Sequence, residues 1–102
     1  MKSLNASQID KIIKDSKYSK NQIDAATCGY YGTFALSLYD WLKGYGIDAK
    51  LVVFYDSEFD TSDYWYHVAV KAYGAIFDIR GMIDEKIIHK EFATDSYAPI
   101  RP

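Results

Sequence analysis

The segment from His67 to Gly81, HVAVKAYGAIFDIRG, constrains the fold more than any other stretch of this chain. Two runs rich in β-branched and aromatic residues, Tyr64 to Ala72 and Ala75 to Arg80, are separated only by Tyr73-Gly74. A break that short predicts an antiparallel hairpin with a two-residue turn, and such a turn sets the register. Strand side chains alternate between faces, so Val68, Val70 and Ala72 share one face with Ala75, Phe77 and Ile79, which suits a core. The other face carries His67, Ala69, Lys71, Ile76, Asp78 and Arg80. In this register Ala69 stands opposite Asp78 and His67 opposite Arg80. His67 and Asp78 are then diagonal neighbours, about 7 to 8 Å apart between backbones and within side-chain reach.

The remaining elements follow from periodicity and punctuation. From Leu4 to Lys17, Leu4, Ile9, Ile12 and Ile13 lie close to a one-faced helical pattern, with Ser3 or Asn5 available as the cap. The polar stretch Tyr18 to Thr27 shows no period and reads as a loop, with Thr27 placed to cap a second helix. From Cys28 to Lys43, Phe34, Ala35, Leu38, Trp41 and Leu42 recur at three- and four-residue spacings, and KGYG ends the helix with a basic turn and glycine. Ala49 to Tyr55 reads as a strand and the polar run DSEFDTSD as a loop. Beyond Gly81 the pattern weakens: KIIHKEF reads equally as a strand or a short helix, and the tail to Pro102 reads as irregular.

Together these elements predict an α+β fold, an N-terminal helix and a Cys28-bearing helix packed on an antiparallel sheet of three or four strands. The whole span 1–102 is expected to be one domain, since 102 residues at 49% hydrophobic and 17% aromatic build a single core. A formal net charge of -2 gives no electrostatic footprint for nucleic acid. The start, MKSLNASQIDKIIKDSK, lacks an apolar stretch of signal-peptide length, and no later run reaches the roughly 18 apolar residues of a membrane helix. A cytoplasmic protein without membrane attachment is the expectation.

Cys28 is the only cysteine, so no internal disulfide is possible, and two histidines are too few for a zinc-type cluster. No metal or cofactor is called for. Asp56, Glu58, Asp60 and Asp63 lack the glycine and terminal glutamate of a calcium loop and read as a solvated surface. Cysteine chemistry needs a thiolate, a base to take the thiol proton, and a third group to orient the base. Cys28 at a helix start would feel the positive end of the helix dipole, which favours the thiolate. His67 and Asp78 supply the other two roles. An aspartate between Phe77 and Ile79 disfavours a strand interior unless it has a partner, and His67 offers one. Arg80 is the rival partner, in a structural ion pair, and His89 is a rival base whose neighbourhood has no matching acid in a clear strand.

The order CGYYGTFALSLYDWLKGYGIDAKLVV, then HVAV, then GAIFDIRG resembles the core of the papain-like and transglutaminase-like cysteine enzymes. The resemblance runs from about Gln22 to Gly81. It implies a minimal single-domain member in which Cys28 is the nucleophile, His67 the general base and acid, and Asp78 the orienting acid. Gln22, six residues before Cys28, stands at the spacing of the oxyanion-hole glutamine in papain-like proteases, and Gly29 leaves room beside the sulfur. The chain departs from the transglutaminase-like pattern in reading HVAV where HAW is common, with Trp65 ahead of the histidine. The implied activity is hydrolysis or transfer at an amide through a thioester on Cys28, with a protein or peptide as substrate. The alternative is an inactive binding or inhibitor protein that keeps the fold and works through a tyrosine-rich surface around Tyr30, Tyr31, Tyr64, Tyr66 and Tyr73.

Overall fold

The structure is a computed structural model that describes residues 4–27, 31–58 and 67–100. Among these, four helices and five strands follow in the order α1 (Ala6–Asp15), α2 (Lys20–Thr27), α3 (Tyr31–Gly44), β1 (Ala49–Tyr55), β2 (His67–Ala72), β3 (Ala75–Asp78), β4 (Gly81–Ile83), α4 (Glu85–Phe92) and β5 (Ser96–Pro99). The strands form one antiparallel sheet in the spatial order β4-β3-β2-β1-β5. The α+β class and the antiparallel sheet are as the sequence suggests. Extra pieces lie where local signals are weak.

The hairpin has the expected register, with Ala72 opposite Ala75 and Val70 opposite Phe77. Its turn is built by Tyr73 at φ 54° and Gly74 at φ 73°, the double positive φ of a type I′ turn whose twist matches the strands it joins. Helix ends likewise obey local chemistry. Asn5 caps α1 through a capping box with Gln8, each side chain reaching the other's backbone N–H at 2.8 Å. After α3, the Ile47 N–H reaches Leu42 O and the Gly46 N–H reaches Lys43 O, a Schellman closure with Gly46 at φ 76° and Ile47 buried.

Two expectations require correction, and one open reading is decided. Residues 20–27 are not loop but α2, because Ser19 and Gln22 form a second capping box that satisfies amides at its start. Thr27 accordingly ends a helix rather than capping one. Of the two readings of KIIHKEF, the short helix is realised as α4, started by Asp84, whose carboxylate accepts from the Lys86 N–H at 2.9 Å. The tail is not wholly irregular, since β5 pairs with β1 from Val52–Pro99 to Tyr55–Ser96 and β4 extends the far edge. The sheet therefore has five strands rather than three or four.

Both faces of the sheet are covered, which explains why β2 is buried nearly throughout. On one face α1 and α3 pack Ile9, Ile13, Ala35, Leu38 and Leu42 against Val53, Val68, Val70, Ala72 and Phe77. On the other, Ile88 of α4 closes over Val52, Phe54, Ala69 and Ile76. The hairpin face that carries His67 and Asp78 is thus a second core, not an open surface.

Candidate functional site

His67 opens β2 and Asp78 closes β3, and the register leaves them diagonal to each other on the α4 face. His67 Nε2 lies 3.2 Å from Asp78 Oδ2, with both residues buried. The imidazole stacks flat on Phe92 of α4, centroids 4.7 Å apart and planes at 12°, and tilts against Phe54 at 6.2 Å. A buried carboxylate between apolar neighbours is tolerated because every oxygen is engaged. Asp78 Oδ1 accepts from the Arg80 backbone N–H at 2.8 Å, and the Arg80 Nη2 donates to Oδ2 at 2.7 Å.

Burial would raise the Asp78 pKa, but the hydrogen bonds from His67 and Arg80 and the Arg80 charge outweigh it and hold the carboxyl below its usual range. Asp78 is therefore ionised at neutral pH and can only accept. It follows that His67 Nε2 donates the hydrogen in this pair. Asp78 thereby fixes which ring nitrogen of His67 carries the hydrogen that faces it.

Arg80, the rival partner for Asp78, joins His67 rather than replacing it. It binds Asp78 without displacing His67, and its Nη1 also reaches both oxygens of Glu91 in α4, at 2.7 and 2.9 Å. The resulting chain His67–Asp78–Arg80–Glu91 ties β2, β3 and α4 together. Neither Glu91 nor Phe92 is singled out by the sequence, because both lie in a short segment whose pairing with the hairpin is settled only in three dimensions.

Gln22 is exposed, and its Oε1 accepts from the Ser19 N–H at 2.8 Å, which closes the cap of α2. Cys28 and Gly29 lie outside the described residues, as do Tyr30, Tyr64 and Tyr66. Tyr73 is half exposed at the hairpin turn. His89 bonds Thr94 Oγ1 through Nδ1 at 2.7 Å, and Glu85 Oε2 lies 3.7 Å from its Nε2. Among the described residues no group of three His, Cys, Asp or Glu is arranged to hold a metal ion, and no helix is long and apolar enough to cross a membrane.

Comparison with known proteins adds no relative: no family model, curated protein or solved structure matches the chain.

Proposed function

We propose that the protein is a cysteine-dependent enzyme of papain-like or transglutaminase-like type, acting on an amide or related acyl group of a protein or peptide. The observation that carries this reading is the buried His67–Asp78 hydrogen bond of 3.2 Å, in which an ionised carboxylate orients a histidine on the neighbouring strand. It is supported by the chain order of Cys28, His67 and Asp78. In the reaction, His67 takes the Cys28 thiol proton as sulfur attacks the acyl carbon. The tetrahedral intermediate collapses to a thioester, and His67 returns the proton to the departing amine. Water or a second amine then releases the acyl group.

The reading demands that the thiol of Cys28, which lies outside the described residues, meet His67 on the α4 face, opposite the Val68 and Val70 face that α3 covers. Alkylation of Cys28 by iodoacetamide across a pH series tests this demand. The expected result is a reaction faster than that of a free thiol, with a pH profile that shifts in His67→Gln. A rate equal to a free thiol and unchanged by His67→Gln overturns the enzyme and leaves the His67–Asp78–Arg80 network as a structural tie in a binding protein. Mass spectrometry of an acyl adduct trapped on Cys28 then names the substrate class.

A further inference from the structure

We propose that the groove at the β1–β2 rim of the α4 face binds the phosphoryl group of a small molecule between Lys50 and Lys71. The two lysines are direct cross-strand partners, so their side chains leave the sheet on the same face with Cβ atoms about 4.5 to 5.5 Å apart. Both line a groove of about 260 Å³ together with Asp48, Val52, Tyr73 and Tyr97. Like charges placed directly opposite each other destabilise a strand pair, and an acidic chain with 14 carboxylate side chains has ample means to neutralise them. It does not. The ion pairs among the described residues involve Lys11, Lys14, Arg80 and the two histidines, and leave out Lys50 and Lys71. Asp48 sits in the same groove but pairs with neither lysine, so an excess of cation remains.

The donors there are already positioned. Lys71 Nζ donates to Tyr97 Oη at 3.0 Å and lies 5.2 Å from the centre of that ring, which fixes the ammonium over the groove and keeps two of its hydrogens for another acceptor. Because the Tyr97 oxygen accepts from Lys71, its own O–H is available to donate. Two ammonium groups and a hydroxyl match a phosphate monoester, a dianion with three acceptor oxygens above a second pKa of about 6, whereas one carboxylate neutralises only half of the pair. Val52, Ala72 and the Tyr73 ring supply apolar wall for the rest of the ligand. Lys71 lies four residues from His67 along the same face of β2, about 13 Å away, so this site stands or falls independently of the cysteine chemistry.

Amide and lysine Nζ resonances of the full chain, followed by NMR during titration with inorganic phosphate at constant ionic strength, test the proposal. Saturable shifts confined to residues 48–52, 71–74 and 97–99 are expected, with affinity falling about tenfold or more in Lys50→Gln and in Lys71→Gln. Lys50 is exposed, so its variant folds as the parent does. A response to phosphate no larger than to chloride, shifts that survive Lys50→Gln, or acetate binding as tightly as phosphate in a parallel titration would each overturn the assignment.

Discussion

Asp78 meets His67 and Arg80 through the same oxygen, Oδ2, at 3.2 and 2.7 Å respectively. One buried carboxylate thus balances a histidine on its left and an arginine on its right, and the arginine continues to Glu91. The consequence is that the orientation of the imidazole depends on a helix, α4, that contributes no group to the His67–Asp78 hydrogen bond itself.

Removing the carboxylate should therefore cost more than a surface pair would. Asp78→Ala leaves the Arg80 guanidinium with Glu91 as its remaining partner and the buried His67 without its acceptor, a loss of about 3 kcal/mol in the free energy of unfolding by urea denaturation. Asp78→Asn keeps the shape and should cost less, while Arg80→Ala should slow any His67-dependent alkylation of Cys28 by loosening the carboxylate. Alkylation unaltered in Arg80→Ala would mean that the arginine does not position the pair.

Stability should fall with acid through the same residue. The Asp78 carboxyl is held below its unfolded value of about 3.9, so its contribution is complete above that pH and is lost as the pH drops through the lower folded value. Asp10, bonded by the Met82 N–H, and Asp95, bonded by Ser57, are lowered in the same direction. Urea midpoints measured from about pH 6 to about pH 2 should decline steeply in the parent and less so in Asp78→Asn, with the residual slope left to the other two.

Gly81 starts β4 at φ 103°, and a Cβ placed there would clash with Asp10 Oδ1. That carboxylate also accepts from the Met82 N–H at 2.7 Å, which docks α1 on β4. Gly81→Ala should lower stability by about 2 to 3 kcal/mol, combining backbone strain with the clash. Adding Asp10→Ala should recover only the steric part, as a double-mutant cycle would show.

Gln22 separates a structural from a catalytic role cleanly. Gln22→Ala should cost about 1 kcal/mol through loss of the Ser19 capping box, and Gln22→Glu should restore it. If Gln22→Glu recovers stability but acyl transfer at Cys28 remains slow, the side chain serves the oxyanion as well. Recovery of both assigns it to the helix cap alone.

Local chemistry was enough to read the hairpin, its register and β1 directly from the residues, because period-two alternation and a two-residue turn admit one pairing. The Gly46 stop after α3 and the Asn5 cap of α1 were equally legible. The adjacency of His67 and Asp78 was legible too, as an outcome of register. Capping in α2 went unread because SKNQ carries its signal in two polar side chains rather than in an apolar period.

What the tertiary structure alone decided is what covers the second face. SYAP and GMI are too short to announce themselves as strands, and they become strands only when β1 and β3 offer unpaired edges. EKIIHKEF has one buried isoleucine and becomes helix α4 when Asp84 caps it and the sheet receives Ile88 and Phe92. Those non-local contacts bury the His67 imidazole, bring Glu91 to Arg80 and swing Tyr97 over Lys71. Sequence by itself set which residues share a strand face; the physical environment of that face had to wait for segments distant in the chain to close over it.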